Sequence, residues 1–74
     1  QQIEQHLRSA FPDAQIQVEG AGGKFLLTLI DDRFDGLNAV KRQQFVYRVL
    51  NPYIADGRIH AVTIRTYTPA EKAE

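Results

Sequence analysis

Apolar residues recur along this chain in two rhythms, and the changes from one to the other mark out its elements. Ile3, Leu7 and Phe11 stand four apart, which places them in one stripe of a helix over residues 2–11. Glu4 near its start and Arg8 near its end suit the helix dipole and have the favourable i,i+4 order. Pro12-Asp13 stops it. Gln15-Ile16-Gln17-Val18-Glu19 then alternates strictly, predicting a half-buried strand. Gly20-Ala21-Gly22-Gly23 turns the chain, since glycine supplies the positive φ of a tight hairpin. Lys24 to Ile30 is the return strand. Phe25, Leu27 and Leu29 share one of its faces and Leu26, Thr28 and Ile30 the other. Apolar groups on both faces predict a central strand.

Residues 31–36, Asp-Asp-Arg-Phe-Asp-Gly, read as a loop. Gly36 is expected in a conformation costly for other residues, and Phe34 is expected to plug the core beneath it. A second helix begins around Leu37 or Asn38, with Asn38 as its N-cap. At 100° per residue, Val40, Val46, Tyr47, Leu50 and Ile54 fall in one stripe. Gln43 falls there too, and the periodicity gives no reason for it. Phe45 and Val49 point away from that stripe and would form a small apolar patch beside Arg42. Pro52 is expected to kink or split the helix, and Asp56-Gly57 to end it. Arg58 to Thr66 is the third strand, with His60, Val62 and Ile64 on one face by parity and Ile59, Ala61 and Thr63 on the other. Thr68-Pro69-Ala70-Glu71 is a helix start: a cap, a proline at the first position and a glutamate able to close a capping box. Only three residues follow, so this helix reads as cut short. The third strand follows a helical crossover and should run parallel to the second. The expected fold is α+β: a three-stranded mixed sheet with helices over one face.

Composition narrows the chemistry. The 74 residues make one small domain over residues 1–74, and a chain starting at Gln1 reads as a trimmed or excised one. Nine basic and nine acidic residues cancel, so no global field drives binding to nucleic acid or membrane. The cancellation is uneven: residues 1–32 carry a net −3 and residues 33–65 a net +4. Lys41, Arg42, Arg48, Arg58 and Arg65 hold most of the positive charge, as a solvated face or as a partner-binding patch. No cysteine is present, which excludes disulfides, a thiol nucleophile and thiolate metal ligands from this chain, and fits a reducing, cytoplasmic compartment. No apolar run approaches the ~20 residues of a membrane span.

An enzyme is not indicated. Asp31 and Asp32 are neighbours, but adjacent residues of an extended chain point opposite ways, and a loop explains them better. Gly20-Ala21-Gly22-Gly23 fits the G-x-x-G of KH domains, yet it joins two strands, where a nucleic-acid clamp joins two helices. His6 lies between stripe positions and reads as a surface residue. His60 has two open roles: an imidazole satisfied by a backbone hydrogen bond at the edge of the core, or a metal ligand at a rim.

Several stretches together resemble the BolA family. They are Phe34-x-Gly36, the run from Val40 through Gln43-Gln44-x-Val46-Tyr47 to Leu50, Ile59-His60-Ala61-Val62-Thr63-Ile64, and Thr68-Pro69-Ala70-Glu71. The resemblance implies a class II KH-like fold in the order α-β-β-α-β-(α). It implies a non-enzymatic adaptor that partners a monothiol glutaredoxin in iron–sulfur cluster handling and iron regulation, sharing a 2Fe–2S cluster with it and with glutathione. In that reading the histidine matching His60 is a cluster ligand. The family commonly places a second ligand in the loop between the first two strands. Here Lys24 stands there, and a protonated amine is a poor ligand for iron. The resemblance also carries an alternative, a transcriptional regulator that binds DNA through Lys41, Arg42, Arg48, Arg58 and Arg65. A third reading is a protein partner docking on Phe45 and Val49.

Overall fold

A hairpin closed by two glycines builds the first two strands. The computed structural model describes residues 2–73. In it β1 (Gln15–Ala21) pairs antiparallel with β2 (Lys24–Ile30), with Ala21 opposite Lys24. Only Gly22 and Gly23 form the turn, at φ 62° and 82°. Positive φ at both central residues is the turn whose twist matches that of the flanking strands. The turn is thus tighter than the four-residue stretch expected, and Gly20 and Ala21 continue β1.

The helix α1 (Gln2–Ala10) precedes the hairpin, and α2 (Ala39–Ala55) crosses over to β3 (Ala61–Tyr67), which runs parallel to β2. The strand order is β1-β2-β3, so β2 is central. Ile3 and Leu7 of α1 and Val46 and Leu50 of α2 pack with Ile16, Leu27, Leu29 and Ile64 of the sheet in one core. On the opposite face of the sheet Gln17, Glu19, Thr63 and Arg65 are exposed, while Leu26 and Ile30 of the central strand are half-buried.

Between β2 and α2, Asp31 caps a single 3₁₀ turn over Asp32–Phe34. Asp31 accepts from the backbone and side chain of Arg33 at 3.0 and 3.2 Å, so this carboxylate is buried but satisfied. Phe34 is fully buried against Phe11, as the sequence implied. Asn38 caps α2, its side-chain oxygen accepting from the amide of Lys41 at 2.9 Å. Removing that acceptor in Asn38→Ala is expected to cost about 1 kcal/mol, measured as a lower midpoint of urea unfolding at unchanged slope.

Two expectations about α2 are corrected. Pro52 does not split it: the helix is continuous over 17 residues. Pro52 lies in the last turn, where the missing amide removes only the bond to the carbonyl of Arg48. The buried face is also rotated from the predicted stripe. Val46, Tyr47 and Leu50 pack there as read, and Val49 and Tyr53 join them three and seven residues after Val46. Val40 and Ile54, in the first and last turns, are 64% and 38% exposed, beyond the part of the helix that meets the core. Gln43 is exposed as well, which removes the anomaly in the stripe.

The short α3 (Pro69–Ala73) starts as its sequence requires. The Thr68 amide donates to Glu71 Oε1 at 2.9 Å, and the Glu71 amide donates to Thr68 Oγ1 at 3.2 Å, closing the capping box.

Candidate functional site

The route from α2 to β3 decides where His60 goes. Asp56 ends the helix and Gly57 follows at φ 85°. The amides of Arg58 and Ile59 both donate back to the carbonyl of Tyr53, at 3.0 and 3.2 Å. This fold-back drops Ile59 into the core at 4% exposure and turns the next side chain outward. The third strand therefore starts at Ala61, not at Arg58 as its alternation suggested. Parity does not reach back through an irregular segment, so Ile59 is buried where an outward position was expected, and His60 is exposed.

His60 rests on the hairpin turn. Its amide donates to the carbonyl of Gly23 at 2.7 Å, and the Ala61 amide donates to the same oxygen at 3.2 Å. The edge of the imidazole lies against Gly23 so closely that a Cβ there would meet His60 Cδ2. Among the described residues, the ring has no hydrogen-bond or ionic partner. Lys24, the next residue of the turn, is exposed and lies opposite Ala61 in the sheet register. The two open roles for His60 are thus divided: its backbone is satisfied, and its ring is free.

The five basic residues do not converge. Lys41 and Arg48 are exposed on α2, with the Arg48 guanidinium 5.9 Å from the Phe45 ring centroid. Arg65 is exposed on the face of the sheet away from α2. Arg58 pairs with Asp56 at 3.1 Å and lies over Tyr53. Arg42 forms a bidentate pair with Glu71, at 2.7 and 3.0 Å, and donates from Nε to the carbonyl of Leu37. It is thus committed to the fold. The long-range contact with Glu71 has no signature in the local pattern. Of the pair Phe45 and Val49, only Phe45 is exposed, at 36%, with its ring tilted against Phe11 at a centroid distance of 6.0 Å, while Val49 is half-buried against the core. His6 is at the surface, as read, with Nδ1 3.1 Å from the Tyr53 hydroxyl.

A shallow concavity of 350 Å³ on α2 is lined by Ala39, Val40, Gln43, Gln44 and Tyr47. It holds no acid–base or nucleophile pair. No described helix is long and apolar enough to cross a membrane.

Comparison with known proteins agrees with this architecture. The model of the family described as BolA-like protein matches residues 2–71. The chain belongs to the BolA-like family. This BolA-like chain is 46% identical over 72 residues to the acid stress protein IbaG of Escherichia coli strain K12, covering 97% of the chain and 86% of the relative. It is 51% identical over 71 residues to a protein from the rpoN-murA intergenic region of Acinetobacter guillouiae, covering 96% and 86%. Among solved structures, the BolA domain of SufE1 from Arabidopsis thaliana superposes with a TM-score of 0.85 at 29% identity, covering 95% and 91% of the two chains. A bolA protein homologue from Coxiella burnetii gives 0.83 at 29% identity, covering 97% and 92%.

The donor set of this BolA-like chain limits what it could hold. Among the described residues, no group of three or more His, Cys, Asp or Glu side chains is placed to take a metal ion. Among these residues, His60 offers an imidazole without a hydrogen-bond or ionic partner at a rim. A cluster would therefore take one ligand from this chain, and its thiolates from elsewhere. That fits a shared group and does not fit one resident in this protein.

Proposed function

We propose that this BolA-like chain is a non-catalytic adaptor that docks on a monothiol glutaredoxin with His60 facing the partner, and that His60 supplies one ligand to a 2Fe–2S cluster held jointly with glutaredoxin and glutathione. The observation that carries the reading is the exposed, unpartnered imidazole of His60, fixed through its backbone to the hairpin turn. In such a complex the cluster supplies the shared bond between the partners. His60 presents an imidazole nitrogen, and the Gly22-Gly23 turn keeps the rim beside it low. Lys24 is not a ligand in this reading; its ammonium faces the negative charge that thiolates bring to the interface. The acid-stress role named for the Escherichia coli relative belongs to the same proposal.

The test is anaerobic cluster reconstitution with a monothiol glutaredoxin and glutathione, followed by absorption and circular dichroism. The wild-type chain is expected to give a spectrum different from that of glutaredoxin alone, and His60→Ala is expected to abolish the difference. An unchanged spectrum in the variant would remove the ligand assignment. The DNA-binding alternative receives less support, since Arg42 is committed to Glu71 and Arg65 faces away from α2.

A further inference from the structure

The close approach of His60 to Gly23 suggests a role for a residue that has no side chain. An ideal Cβ at Gly23 would collide with His60 Cδ2 and lie 3.1 Å from Cγ and 3.2 Å from Nε2. The ring therefore turns its Cδ2 corner into the turn, and by ring geometry its opposite Nδ1–Cε1 side away from it. The space it occupies is the space a side chain at position 23 would fill. Both residues are held in place by backbone: the carbonyl of Gly23 accepts from His60 and Ala61.

We propose that Gly23 is a positioning residue for His60: the missing Cβ, as well as the permitted φ, sets the orientation in which the imidazole is offered to a partner. The inference rests on the reading of His60 as a ligand for its functional meaning, but its structural content concerns this chain alone. The obstructed atoms belong to the far end of a rotatable side chain, so an added methyl would swing the ring out and leave the fold standing. Ordinary turn chemistry accounts for a glycine at positive φ. It does not account for which of the two turn glycines touches the ring.

That distinction gives an internal control. Gly22 has φ 62° and nothing within 4 Å of an added Cβ; Gly23 has φ 82° and the imidazole there. Gly22→Ala and Gly23→Ala both force an L-residue into a positive-φ position, so both should lower the melting temperature. Only Gly23→Ala should move the ring.

The experiment records the His60 ring resonances by NMR in the isolated wild-type chain and in both variants. It also records the contact between His60 Hδ2 and the residue-23 α-proton. Each variant is then carried through the reconstitution with glutaredoxin. The expected result is a shift of the ring signals and loss of that contact in Gly23→Ala, with Gly22→Ala unchanged. The cluster-type dichroism should be altered in Gly23→Ala alone. Ring signals unmoved in Gly23→Ala, or moved equally in both variants, would overturn the positioning role. If the ring moves only in Gly23→Ala while His60→Ala leaves the cluster spectrum intact, the positioning stands and the ligand reading falls.

Discussion

Phe34→Ala is expected to leave a domain that is largely unfolded in modest denaturant. The ring is fully buried, with its centroid 6.0 Å from that of Phe11, and it closes the 3₁₀ turn that leads into α2. Truncating a buried phenylalanine typically costs ~3–5 kcal/mol, through lost transfer energy and the cavity left behind. Domains have only about 5–15 kcal/mol in total, and a chain of this size buries a smaller fraction of its surface than a larger one. The turn on which Phe34 sits is fixed at both ends, by the Asp31 cap and by the Leu37 amide donating to the Phe34 carbonyl at 3.1 Å, so the loop has little freedom to collapse into the gap. Urea unfolding followed by far-ultraviolet circular dichroism measures the loss. A loss under about 1 kcal/mol would mean that the loop refills the space.

The second large effect concerns α3, five residues long, which is too short to hold a helix unaided. Its anchor is the Arg42–Glu71 pair and the capping box that uses the same carboxylate. The hydrogen bonds from Arg42, and after them the Thr68 amide, hold the Glu71 carboxyl down at about 2, against an ordinary value of 4.5. A depressed folded-state value means that this stabilisation is complete above the ordinary carboxylate range. It is lost as pH falls from about 4.5 towards about 2. Arg42→Ala removes the same anchor at neutral pH. Hydrogen exchange at the Lys72 amide, which donates to the Thr68 carbonyl at 3.1 Å, reads both cases once intrinsic rates are divided out. Protection there should disappear in Arg42→Ala at pH 7, and in the wild type across the acid window, while amides of β2 stay protected. Protection of Lys72 that survives in Arg42→Ala would show that the capping box suffices alone.

What the sequence made legible was what short-range periodicity and capping chemistry encode. Strict alternation identified β1 and the two-faced apolar run identified a central β2. Asn38 and the Thr68–Glu71 pair act as caps where their spacing placed them. The readings that failed depended on tertiary context. A hundred-degree wheel cannot tell which part of α2 overlies the core, so it puts Val40 and Ile54 inside and Val49 outside. Alternation runs on to Arg58 in the sequence because nothing local signals the double hydrogen bond onto the Tyr53 carbonyl that buries Ile59. Arg42 looked like a free surface cation because its partner lies on α3, beyond β3. For the site, the rim position of His60 could be read from the glycine turn before it. The packing of its ring on Gly23 could not, since the two residues meet only through the sheet.

That last point bears on when the site comes into being. The hairpin of β1 and β2 closes over a two-residue turn, a contact made within microseconds in isolated chains. The carbonyl of Gly23 waits for His60 until α2 has formed and β3 has docked parallel to β2, the step that closes the longest loop in the sheet. Half of the rim is thus local and early, and the other half is non-local. A nascent chain or a peptide that ends within α2 carries the turn but no imidazole to place on it. The placement of His60 on the turn is accordingly a property of the completed sheet.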